Sequence, residues 1–264
     1  MRKSSKFAIV LATVVLAVGG LAVIEKVLAD VAMPRSRWTP VRMESEQVNI
    51  TLGEKKVAVE AVFHLYNEGK AGKVAMGYPL GEFEDTLNDF TASVDGEAIK
   101  DVWTQSGAEM GAGRDEFMGG PPAGPGGKGP AKDGPAAEPY RFDGPYRQWK
   151  VFDVPMEANA ARVVKVTYWV EPAKLADEKQ GDLLHYCYTL RTGATWKGKI
   201  NEAVVTVTLD GVAPDRIVRL APAGAAKTQE GKVMTWTMRD FKPSDNIEVT
   251  FRPAEATKTA IASE

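Results

Sequence analysis

Cysteine is nearly missing from this 264-residue sequence: Cys187 stands alone, so no disulfide can close within the chain. Stability must come from apolar burial and strand pairing instead. Histidine is almost as scarce, with only His64 and His185. His185 and Cys187 share a face of one predicted strand, but a closed zinc site takes four ligands and no CxxC, HxxH or HExxH spacing supplies the rest. No GxSxG elbow or phosphate-cradling glycine loop occurs, and GAGRDEFMGG (111–120) neither follows a strand nor opens a helix. No catalytic, cofactor-binding or metal-binding residue is therefore expected, and the chain reads as a non-enzyme. Long amphipathic helices are absent too; PAKLADEKQGD (172–182) has room for one helical turn. Basic charge is not in excess, with 33 Lys and Arg against 35 Asp and Glu. That balance argues against nucleic acid as a partner and against docking on anionic lipid.

What is present begins with an export pattern. Arg2, Lys3 and Lys6 precede the uncharged run FAIVLATVVLAVGGLAVI (7–24), and Val27-Leu28-Ala29 offers a cleavage site. The expectation is a signal peptide over residues 1–29 and a periplasmic or secreted mature chain of 235 residues. The alternative is an uncleaved N-terminal anchor, since a membrane helix needs about 20 apolar residues; only in that form would the protein touch a membrane. Losing Arg2, Lys3, Lys6, Lys26 and Glu25 moves the net charge from −2 to −5.

Beyond the signal the dominant period is two. Val48, Ile50 and Leu52 alternate with Gln47, Asn49 and Thr51; Val57, Val59, Ala61, Phe63 and Leu65 repeat the pattern after the turn GEKK (53–56). Such alternation marks strands with one buried face, and Gly53 in the turn is free to take positive φ. Further strands are expected at 73–80, 89–94, 97–105, 146–154, 161–170, 183–190, 202–211, 216–221, 232–238 and 246–251, with Asp95-Gly96 a two-residue hairpin turn. Many short strands separated by turns predict an all-β protein, an antiparallel β-sandwich or two sandwiches in tandem. The expected division is 30–175 for an N-terminal domain and 176–253 for a C-terminal one. MGGPPAGPGGKGPAKDGPAAEP (118–139) has almost nothing apolar to bury, which predicts a mobile insertion; the tail 254–264 is expected to be disordered.

Six tryptophans raise the question of a sugar-binding surface, because flat aromatic faces suit sugar rings. Trp236 shares a core face with Met234 and Met238. Trp169 lies opposite Val164, Val166, Tyr168 and Val170, so it is either exposed or covered by a second layer. Trp169, Trp196 and Trp103 form the candidate ligand or partner surface. In YTLRTGATWKGKI (188–200), Trp196 reads as a corner plug that closes the core, with Gly193 and Gly198 supplying backbone freedom on either side. The acidic stretch Glu82, Glu84, Asp85 and Asp89 lacks the ligand spacing of a calcium loop and reads as a solvated turn.

Three segments, VRMESEQVNITLGEKKVAVEAVFHLYNEG with the following GYPL (41–69, 77–80), YTLRTGATWKGKI, and DFKPSDNIEVTF (240–251), together resemble an exported bacterial family, domain of unknown function 4424. The first segment also looks like the opening of a vault/inter-α-trypsin type β-domain. The resemblance implies an extracytoplasmic β-rich protein with no assigned catalytic residue. Two functions follow as expectations. One is a noncatalytic structural or protein-interaction component of the bacterial cell envelope, its partner an envelope or extracellular protein. The other is a carbohydrate- or small-ligand-binding module that uses exposed aromatic side chains.

Overall fold

The computed structural model describes residues 33–34, 40–80, 87–106, 148–177, 181–228 and 230–254. The export-type segment, the insertion 118–139, the acidic residues 82, 84 and 85, and the tail after residue 254 lie outside them. The described chain is almost entirely β, in three sheets.

The largest sheet has eight strands. In spatial order they are β14 (Ala226–Lys227), β15 (Val233–Phe241), β12 (Ile200–Leu209), β2 (Val41–Leu52), β3 (Val57–Asn67), β9 (Ala161–Val170), β5 (Asn88–Val94) and β6 (Glu97–Ala98). One four-stranded sheet runs β1 (Met33–Pro34), β4 (Gly72–Leu80), β8 (Gln148–Met156), β7 (Trp103–Ser106). The other runs β10 (Ala173–Asp177), β11 (Gly181–Tyr188), β16 (Ile247–Phe251), β13 (Ile217–Ala221).

Both small sheets contribute to one core with the inner face of the large sheet. Phe63, Val166, Val205 and Val207 from the large sheet cluster with Met76, Tyr78, Phe152, Tyr186, Val249 and Phe251 from the small ones. Tyr78 sets its ring against Phe63 and Tyr168, each at 6.2 Å. Burying each such side chain contributes about 1.5–3 kcal/mol, the main force holding the layers together. The boundary drawn at 175/176 falls inside this shared structure, for β12 pairs with β2 and the core draws on both halves.

Several local expectations are corrected. Among the described strands the antiparallel pattern has one exception, β2 with β12, which pair in parallel from Ser45–Glu202 to Leu52–Leu209. The chain leaves β11 in a small sheet, turns through a 3-10 helix at Leu190–Thr195, and enters β12 in the large sheet. That crossing between layers is what allows β12 to run alongside β2. Ala173–Asp177 is a strand and not a helical turn: β10 pairs antiparallel with the start of β11, with Ala173 opposite His185. The single strand expected at 97–105 is two, because the chain leaves the large sheet after Ala98 and joins β8 at Trp103. Asp95-Gly96 does form a tight hairpin turn, with φ of 50° and 87°, the pairing a two-residue loop requires.

Gly53 does not take positive φ. It is buried, and a Cβ there would sit 2.9 Å from the Lys56 carbonyl oxygen, so close backbone approach demands the glycine. Gly193 likewise lies within the 3-10 helix with no positive φ, whereas Gly198 has φ of 72°.

Candidate functional site

Trp196 is 2 % exposed and belongs to the core. Its backbone N–H donates to the Gly193 carbonyl at 3.3 Å, and the next residue, Lys197, donates to the Val41 carbonyl at 3.3 Å. Outside the core, Lys197 and Arg42 both pair with Glu68. The loop is therefore pinned from inside and outside, and Trp196 offers no ring face to a ligand. Trp103, half-buried, starts β7 opposite Val151 in a small sheet. The three tryptophans are not brought together.

Trp169 is different. Val164, Val166, Tyr168 and Val170 take the buried positions of β9, so the strand's alternation turns Trp169 outward. Its cross-strand neighbours are Ala58 on β3 and Asn88 on β5. The register of β5 shifts between Asn88 and Thr91, and Asp89 there adopts φ of 51°, a left-handed conformation that Asp tolerates better than most residues. This local distortion sets the Asp89 carboxylate to accept a hydrogen bond from Trp169 Nε1 at 2.8 Å, while Asn88 Nδ2 donates to the Trp169 carbonyl at 3.3 Å. Lys56, just before β3, places its ammonium 5.1 Å from the indole centroid, within cation–π range. The indole is thus held at its edge and attended at its face.

Around it an open groove of about 490 Å³ is lined by Asn49, Thr51, Lys56, Ala58, Glu60, Asp89, Thr167 and Trp169. Glu60 is paired with Lys165 at 2.6 Å. The groove thus combines one aromatic ring with hydroxyl, amide and carboxylate groups, the combination that orients a small polar ligand. Asp89, read from sequence as part of a solvated acidic turn, is instead the residue that fixes the indole.

A second unusual group is buried. Glu46 is 1 % exposed, facing the core between the large sheet and β11. The Tyr188 hydroxyl donates to its Oε1 at 2.7 Å, and Oε2 has no partner among the described residues. Burial pushes its carboxyl up to about 7, which the Tyr188 hydrogen bond only partly offsets. A bulge between Met43 and Ser45 explains the placement: it lets Val41 and Met43 point inward while Glu46, Val48, Ile50 and Leu52 do so as well. The alternation of Val48, Ile50 and Leu52, carried back one step, would have flagged Glu46 as inward.

The histidines do not converge. His64 is exposed on the outer face of β3. His185 Nδ1 lies 3.0 Å from the Thr250 hydroxyl, and burial holds its imidazole below the usual histidine range, with the Glu248 carboxylate opposing the shift. Cys187 is buried on the same face. Among the described residues no three His, Cys, Asp or Glu side chains gather where they could hold a metal ion.

Fold and site together define an all-β protein with an aromatic groove on the outer face of its largest sheet. Residues 159–250, from β9 to β16, match the family model described as Domain of unknown function (DUF4424). Of the segments that carry the sequence resemblance, the Trp196 loop and nearly all of the closing strand fall inside that match, and the opening segment falls outside it. No curated protein sequence matches the chain. Among solved structures, it is similar to a candidate nutrient-binding protein of Legionella pneumophila, at 12 % identity and a TM-score of 0.59, covering 85 % of this chain and 70 % of that one. This likeness is one of fold. An M1 zinc metallopeptidase from Deinococcus radiodurans aligns at 10 % identity with a TM-score of 0.36, over 81 % of this chain and 42 % of the enzyme, and carries no argument about activity.

Proposed function

We propose that the protein is a noncatalytic β-domain of the bacterial cell envelope that binds a small polar ligand in the groove at Trp169. The basic start, the apolar run and the Val27-Leu28-Ala29 site support an extracytoplasmic location. The observation that carries the binding role is the geometry of Trp169. Its indole faces outward, its Nε1–H is already satisfied by Asp89, and both neutral polar side chains (Asn49, Thr51, Thr167) and charged ones (Lys56, Glu60) line the groove around it. A ring so placed can meet an apolar ligand face while Asn49, Thr51 and Thr167 take its hydroxyl or amide groups. The fold neighbour described as a candidate nutrient-binding protein is consistent with this reading. The test is a panel of disaccharides and free amino acids, read by tryptophan fluorescence on wild type and Trp169→Ala. A saturable signal that the substitution abolishes supports the groove. Saturation unaffected by Trp169→Ala places binding elsewhere. Silence across the panel leaves the structural or protein-interaction role in the envelope as the better reading, and cross-linking in intact cells would then identify the partner.

A further inference from the structure

The outer face of the eight-stranded sheet carries a row of hydrogen-bonding side chains running across the strands. Strand register aligns Thr235 with Thr206, Thr206 with Asn49, Asn49 with Glu60, Glu60 with Thr167, and Thr167 with Thr91. The row crosses β15, β12, β2, β3, β9 and β5 in turn. Its end pairs touch: the Thr91 and Thr167 hydroxyls are 2.7 Å apart, and those of Thr206 and Thr235 are 3.5 Å apart. Six strands spaced about 4.8 Å apart give a row of roughly 24 Å, much longer than a small ligand. Asn49, Glu60 and Thr167 belong both to this row and to the groove at Trp169, so row and groove form one continuous surface.

Its charge decides what it can take. Glu60 is paired with Lys165, Asp89 accepts from Trp169, and Lys56 sits over the indole. The two acidic and two basic groups balance, and with the Thr and Asn hydroxyl and amide groups between them the surface is complementary to an uncharged partner rich in hydroxyl groups and poorly suited to phosphate or sulfate. The four inner strands of the row are paired along both sides, while β15 and β5 are flanked only in part by the two-residue strands β14 and β6, so only the two ends of the row offer an edge to which a peptide strand could add. The sheet's twist of about 20–25° per strand suits a single flexible chain better than a flat rigid surface.

We infer that this face binds a neutral, extended polysaccharide laid across the strands, with one sugar ring at Trp169 and its neighbours stepping along the row. A sugar unit in an extended β-1,4-linked chain advances by about one strand spacing, so successive hydroxyls meet successive side chains. The inference rests on the groove reading above and adds the ligand's class, length and direction.

The test is calorimetric titration of the full chain with cellohexaose and hexa-N-acetylchitohexaose, both uncharged, each compared with its disaccharide. One hexamer is expected to bind at least tenfold more tightly than its dimer. Thr206→Val, which lies outside the groove and keeps the side chain's shape, should weaken the hexamer several-fold and leave the dimer unchanged. Trp169→Ala should weaken both. Equal affinity for hexamer and dimer, or a silent Thr206→Val, overturns the extended site and leaves the groove intact. Failure of every saccharide overturns the polysaccharide assignment, while amino-acid binding lost in Trp169→Ala would still uphold the groove.

Discussion

Glu46 makes stability fall as pH rises through a defined window. Its carboxyl titrates near 7 in the fold against an ordinary value of 4.5. Below pH 4.5 folded and unfolded chains both hold the proton, and the neutral acid is tolerated in the core. Between 4.5 and 7 the unfolded chain releases it first, so stability declines by up to about 1.4 kcal/mol per pH unit. Above 7 both states are ionised and the loss is complete. The whole shift is worth about 3 kcal/mol, a large share of the 5–15 kcal/mol typical of a domain. The physical cause is an ionised carboxylate in an apolar core with one hydrogen bond, from Tyr188, and an Oε2 that no described side chain reaches. Glu54 acts in the opposite sense: burial raises its carboxyl, but hydrogen bonds from Ala254 and Arg216 more than offset that and hold it below its ordinary value, so its contribution is lost as pH falls. The informative quantity is therefore the difference between wild type and Glu46→Gln in urea melts from pH 4 to 8.5. That difference should move in favour of Gln by about 3 kcal/mol across the window. Tyr188→Phe should push the wild-type inflection to higher pH. Parallel curves for wild type and Glu46→Gln would refute the reasoning.

Three further outcomes are expected. Trp196→Ala should cost about 3–5 kcal/mol in denaturant melts, the usual range for deleting a large buried aromatic; an unshifted midpoint would contradict the corner plug. Gly198→Ala should destabilise by about 1 kcal/mol or more, because φ of 72° suits glycine; a neutral result would mean the loop relaxes freely. Mass spectrometry of the native protein should find a chain beginning near Asp30, and an intact Met1 end in the membrane fraction would instead establish the N-terminal anchor.

How much was legible in the sequence follows from how local each signal is. Val57 to Leu65 and Val164 to Val170 alternate cleanly, so their strands and inward faces could be read directly, as could the Trp236 core position and the Asp95-Gly96 turn. The parallel pairing of β2 with β12 could not, because it joins residues about 150 apart and depends on a crossing between layers. At 173–177 the residues Ala, Leu and Ala fit a helix as well as a strand, and pairing with β11 decided the matter. Trp169 was marked as a candidate, but its site was not, since Asp89 reaches it only through the distortion in β5. Glu46 is in phase with Val48, Ile50 and Leu52, but a strand taken to begin at Gln47 stops one residue short of it.

The most direct measurement is calorimetric titration of wild type and Trp169→Ala with the tightest-binding member of the saccharide and amino-acid panel, alongside urea melts of both proteins. Trp169 is half-buried on the outer face and lies outside the core, so its loss should cost clearly less than the about 3–5 kcal/mol of a core aromatic. The groove reading therefore predicts at least a tenfold loss of affinity in a protein that stays folded under the titration conditions. Equal affinity for the two proteins would contradict it.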